Sequence, residues 1–65
     1  MQEPKTEVRV KLTEEDGNAF AVLGKVKKAL EEAGHAELAK EYLDEATRGD
    51  YDALLQTTMR YVHVD

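Results

Sequence analysis

The chain contains no cysteine and no serine, has a single proline, and shows no run of apolar residues longer than a few positions. Each absence removes a class of protein. Without cysteine there is no disulfide framework, no thiolate zinc site and no cysteine nucleophile, which fits a reducing compartment and makes the cytoplasm the expected location. Without serine no serine triad can be assembled, and the threonines, Thr6, Thr13, Thr47, Thr57 and Thr58, stand where strands, caps or helix ends explain them. No stretch approaches the roughly 18 consecutive apolar residues that a membrane span requires. The residues from Met1 to Glu7 also lack the basic start and apolar run of a secretion signal. A soluble protein with no membrane partner is expected.

Positive charge is scarce as well. Nine Lys and Arg stand against 14 Asp and Glu, a net charge of -5, which opposes any bulk attraction to phosphate. Only residues 18–34 are locally basic, with three lysines against two glutamates. A length of 65 residues admits one core, since a second would have nothing left to bury. Natural domains under roughly 70 to 80 residues often add a disulfide, a metal or a partner subunit to a marginal core. Here the first is excluded. The apolar content of 42% and charged content of 35% are those of an ordinary globular domain.

The apolar residues recur with clear periods. Met1 to Thr6 carries no pattern and holds the proline, so residues 1–6 read as a flexible N-terminal arm and 7–65 as the domain. Val8-Arg9-Val10-Lys11-Leu12 alternates strictly, which predicts a half-buried strand with Val8, Val10 and Leu12 on one face and Arg9 and Lys11 on the other. Asp16 or Asn18 can cap the helix that follows, and Glu14, Glu15 and Asp16 suit its positive end. From Ala19 to Ala33, Phe20, Leu23, Val26, Leu30 and Ala33 fall at steps of three and four, with Ala19, Val22 and Ala29 widening the stripe. Gly24 inside this helix points either to the close approach of another backbone or to a tolerated surface glycine. Gly34 supplies a left-handed stop.

A second helix is predicted from Ala36 to Thr47 with Leu38, Ala39, Tyr42, Leu43 and Ala46 inward, closed by Arg48 and a Gly49 stop. Asp50 then caps a short third helix carrying Tyr51, Leu54, Leu55 and Thr58 on one face. Thr57 and Thr58 weaken helical preference, and Arg60-Tyr61-Val62-His63-Val64 returns to alternation, which predicts a second strand. The expected fold is α+β, in the order β-α-α-α-β, with a two-stranded sheet covered on one face by three helices. Its core is expected to hold Phe20, Leu23, Val26, Leu30, Leu38, Tyr42, Leu43, Leu54 and Leu55 with Val8, Val10, Leu12, Val62 and Val64.

The run Glu15-Asp16-Gly17-Asn18-Ala19-Phe20-Ala21-Val22-Leu23-Gly24, followed by Gly49-Asp50-Tyr51-Asp52-Ala53-Leu54-Leu55, resembles a family of short uncharacterised proteins of bacteria and their phages. The likeness spans most of the chain. It implies a compact single-domain protein and brings with it no activity, cofactor or site residue.

No residues converge on chemistry in the sequence. His35 and His63 have no cysteine or close second histidine to complete metal-ligand spacing. The pairs Glu14-Glu15-Asp16, Glu31-Glu32 and Asp44-Glu45 lie outside the apolar stripes, whereas acid/base carboxylates need burial to separate their pKa values. Gly17, Gly24, Gly34 and Gly49 are too scattered for a phosphate loop. Neither an enzyme nor a bound cofactor is expected.

Two surface features have a functional reading. Glu37, Glu41, Asp44 and Glu45 form an acidic face on the second helix, which is either a protein-binding surface or plain solvation. Arg9 and Lys11 would stand beside Tyr61 and His63 on the open face of the sheet, an arrangement that can stack on RNA or single-stranded DNA. The cluster Lys25, Lys27 and Lys28 is opposed by the i,i+4 pairs Lys27–Glu31 and Lys28–Glu32. The expectation is therefore a small regulatory or protein-binding module, with weak nucleic-acid binding as the alternative. A homodimer formed through the open sheet edges is also expected.

Overall fold

The computed structural model describes residues 3–12 and 18–65. Its elements are β1 (Arg9–Val10), α1 (Ala19–Glu32), α2 (Ala36–Ala46), α3 (Tyr51–Tyr61) and β2 (His63–Val64), which is the expected β-α-α-α-β order of an α+β domain. The strands pair in parallel, with Arg9 opposite His63 and Val10 opposite Val64. Parallel strands need a long crossover, and the three helices between them supply it.

Local chemistry accounts for most helix ends. Asn18 caps α1 by accepting from the Phe20 N–H at 2.8 Å. Asp50 caps α3 by accepting from the Ala53 N–H at 2.9 Å. The alternative cap Asp16, with Glu14 and Glu15, lies outside the described residues. Gly34 takes φ +86, so the α1–α2 link turns through the left-handed region as predicted. Gly49 does not. Helix α2 ends instead on Thr47, whose hydroxyl donates to the Leu43 carbonyl at 2.7 Å. Position 49 excludes a side chain because a Cβ there would lie 2.7 Å from the Ala53 Cβ.

The second strand is shorter than predicted because α3 continues through Thr57 and Thr58 to Tyr61. Both threonines are buried, and the Thr58 hydroxyl donates to the Leu54 carbonyl one turn back at 2.8 Å. Burial of both side chains outweighs a weak intrinsic preference. Tyr61 consequently belongs to a helix and to the core, where it is fully buried.

Residues 5 and 6, expected in a flexible arm, are instead bonded to the end of α3. The Lys5 N–H donates to the Arg60 carbonyl at 2.9 Å and the Thr6 N–H to the Tyr61 carbonyl at 3.2 Å. His63 and Asp65 then donate to the Val8 and Val10 carbonyls at 2.8 and 3.0 Å. Thr6 is buried, and its hydroxyl donates to the Tyr61 carbonyl at 2.8 Å while accepting from the Val8 N–H at 3.1 Å. Residues expected to be loose thus extend the pairing of the two chain ends beyond the strands.

The core centres on Val22, Val26, Leu30, Tyr42, Leu54, Tyr61 and Val62, with Val10, Ala39 and Ala46 completing it. Val8, Leu12, Leu23, Leu38 and Leu43 pack partly buried around it. Two expected core residues lie outside. Val64 is among the exposed large hydrophobics, and Phe20 is 83% exposed. Leu55 is half-buried. At about 100° per residue, Phe20 points roughly 120° round the helix from Val26, so a narrower stripe built on Val22, Val26 and Leu30 leaves it on the outer flank.

Two aromatic rings fill the centre. Tyr42 and Tyr61 meet edge to face with centroids 5.5 Å apart, the geometry favoured by the ring quadrupoles. The Tyr42 and Thr58 hydroxyl oxygens are 2.7 Å apart. Since the Thr58 hydrogen is committed to Leu54, Tyr42 is the donor. The result is a buried relay from Tyr42 through Thr58 to the backbone.

Candidate functional site

The acidic face of α2 is largely engaged inside the molecule. Glu41 pairs with Lys5 at 3.4 Å, Glu45 with Arg60 at 3.2 Å, and Asp44 with Arg48 one turn along the helix. Glu37 lies exposed in the first turn, where a carboxylate complements the helix dipole. These acids tie α2 to the N-terminal segment and to α3. Lys5 also lies over the Tyr61 ring at 4.5 Å from its centroid, so one ammonium joins a carboxylate and an aromatic face. Burial, followed by the neighbouring Glu45 and Glu41, pushes the Tyr61 phenol well above its ordinary pKa.

The basic and aromatic sheet face is not assembled as predicted. Arg9, Lys11 and His63 are exposed, but Tyr61 is turned into the core and offers no ring for stacking. Arg9 lies 3.4 Å from the Asp65 carboxylate, which offsets its charge. Strands of two residues each also leave little edge for pairing between copies.

His35 closes the α1–α2 link. Its buried Nε2 is 3.6 Å from the Glu7 carboxylate and has no hydrogen-bond partner among the described residues. The Glu7 carboxyl is held below its ordinary pKa, first by a backbone N–H and then by His35. Among the described residues no three His, Cys, Asp or Glu side chains come together to hold a metal ion. Nor is any of their helices long and apolar enough to cross a membrane.

The feature that sequence reasoning missed lies at the start of α1. Phe20 borders a groove of 310 Å³ whose walls include Ala19 and Leu23 of α1, Ala46 at the end of α2, and Tyr51 and Leu54 of α3. The groove follows from the Asn18 and Asp50 caps, which start two helices side by side, and from Gly49, which keeps the entering turn thin. A larger hollow of 740 Å³ lies against Ala53, Gln56, Thr57, Met59 and Arg60. All five belong to α3, so among the described residues it lacks the second wall that would enclose a ligand.

Gly24 stands one turn beyond Phe20, exposed, and a Cβ placed there would meet none of the described residues within 4 Å. Of the two readings left open by the sequence, close packing within the chain is not what is found. The signal that could have placed Phe20 outside was the Val22–Val26–Leu30 spacing, which makes a straight i,i+4 stripe.

The chain matches no family model, and no match is found among curated proteins or solved structures.

Proposed function

We propose that this protein is a small non-enzymatic module that acts through protein contacts, and that its contact surface is the flank of α1 bearing Phe20 with the groove beside it. The exposure of Phe20 carries this reading: it is the chain's only phenylalanine, and 83% of its surface faces solvent at the rim of an apolar groove. Aromatic side chains beside a pocket are the usual anchors of protein interfaces. The acidic residues Glu41, Asp44 and Glu45 fit a structural role better, because each has an internal cationic partner.

Affinity capture from an extract of the source organism tests the assignment. Phe20→Glu should abolish the capture seen with the parent chain while circular dichroism and melting stay unchanged. Capture that survives Phe20→Glu but fails in a Glu37→Gln/Asp44→Asn variant would move the contact surface to α2.

A further inference from the structure

The groove and the exposed ring beside it fit one another. A closed two-fold dimer requires a single patch that is complementary to itself, with a projecting group and a recess on the same surface. The start of α1 has both: Phe20 projects at the rim, and the recess between Leu23, Ala46, Tyr51 and Leu54 opens next to it. At 310 Å³ the recess lies at the small end of the roughly 300 to 1,000 Å³ range of ligand pockets. It therefore suits a single large side chain. We propose that the occupant is the Phe20 ring of a second copy of this chain, inserted reciprocally about a two-fold axis passing close to the N-terminal half of α1. The proposal rests on the reading of this flank as a contact surface, and it names the partner.

Gly24 supports the same geometry. Phe20 and Gly24 are spaced i,i+4 and share a helix flank, and none of the described residues lies within 4 Å of a Cβ placed on Gly24. A second helix crossing there could bring its backbone close to α1, as small residues allow wherever helices approach tightly. A biological interface needs roughly 1,000 Å² in total, or about 500 Å² from each copy. Each copy exposes 4558 Å², so about a ninth of its surface would be covered. The aromatic ring supplies roughly 150 to 250 Å² of that at the centre. Two charges of -5 repel, so the contact should tighten as salt screens them.

Sedimentation equilibrium of the full chain over a hundredfold concentration range, at low and high salt, tests the proposal. The parent should rise from 7.3 kDa toward twice that mass, more readily at high salt. Phe20→Ala should weaken association by about tenfold or more, as expected for losing an aromatic anchor from both copies. Gly24→Leu should weaken it as well. Because both positions are exposed, unchanged circular dichroism will show that the variants fold. In a sample mixing labelled and unlabelled chains, contacts should run from the Phe20 ring of one copy to Leu23 and Tyr51 of the other. A mass constant at 7.3 kDa into the millimolar range would overturn the dimer. So would association that persists in Phe20→Ala or that joins two copies of β1. If the parent stays monomeric while Phe20→Glu still abolishes capture of a different protein, the dimer fails and the contact flank survives.

Discussion

The buried relay at the centre of the domain yields an ordered set of stabilities. Tyr42 donates to Thr58 at 2.7 Å, and Thr58 donates to the Leu54 carbonyl at 2.8 Å, with both side chains fully buried. In Tyr42→Phe one hydrogen bond disappears, but Thr58 keeps its acceptor and no donor is stranded, so the cost should be about 0.5 to 1.5 kcal/mol. In Thr58→Val the phenolic O–H of Tyr42 stays buried without an acceptor, and the cost should rise to about 1 to 3 kcal/mol. The double variant removes both hydroxyls and leaves a methyl group against a phenyl ring. It should be no less stable than Thr58→Val alone, giving a coupling on the order of 1 kcal/mol in a double-mutant cycle. Urea unfolding with an unchanged m-value measures this, as does melting, where 1 kcal/mol corresponds to about 4 to 8 °C in a domain of this size. Strictly additive costs would show that the hydroxyls are not bonded. A Thr58→Val variant as stable as Tyr42→Phe would show that the donor direction is wrong.

Other perturbations probe the packing and the helix ends. Leu30 is fully buried between α1 and the rest of the core, so Leu30→Ala should cost about 2 to 5 kcal/mol, and a melting temperature within a degree or two of the parent would contradict its placement. Gly24→Ala, measured at low concentration, should raise stability by about 0.5 to 1 kcal/mol because the added methyl group meets open space and alanine favours the helix. Gly34→Ala should lower it, since φ +86 is strained for a residue with a Cβ; equal effects from the two substitutions would refute both assignments. Burial pushes both phenols up, and near Tyr61 the carboxylates Glu45 and Glu41 add to it. Because unfolded tyrosine ionises near pH 10, the stability these phenols contribute is complete below about pH 10 and falls as pH rises above it. Tyr61→Phe should therefore shift the alkaline unfolding midpoint upward, and an unmoved midpoint would exclude Tyr61 as a determinant.

The fold was legible in the sequence wherever the cause was local. Asn18 and Asp50 are caps because their side chains reach N–H groups two or three residues ahead, and the Val26–Leu30 spacing marks the inner face of α1. The parallel pairing of the strands was not legible, because the tilt of each helix and not the number of helices decides in which direction the chain returns to β1. The rest depended on what each residue meets across the fold. Arg60 to Val64 alternates like a strand, yet Thr58 and Tyr61 are drawn into a helix by contacts with Tyr42 that no neighbouring residue announces. Lys5 and Thr6 look like a tail because their partners, Arg60 and Tyr61, lie at the other end of the chain. Of the candidate sites, the acidic residues were correctly placed on α2, but their cationic partners on other segments were not visible. The aromatic half of the sheet face was lost when Tyr61 turned inward.

Folding alone does not account for Phe20 and Gly24. At about 0.05 to 0.15 kcal/mol per residue, a chain of 65 residues is stabilised by only roughly 3 to 10 kcal/mol. Leaving a phenylalanine in water forgoes about 1.5 to 3 kcal/mol of burial, and a mid-helix glycine costs about 1 kcal/mol relative to alanine. Together these are a large share of the total, in a domain that has no disulfide to offset them. The buried hydroxyl relay and the pairing of Lys5 and Thr6 with Arg60 and Tyr61 lie in other parts of the fold and involve neither residue. Positions that break local rules without a compensating contact are where function is expected. A surface that can be changed at Phe20 and Gly24 without touching the core is also one whose binding role can be tested apart from stability.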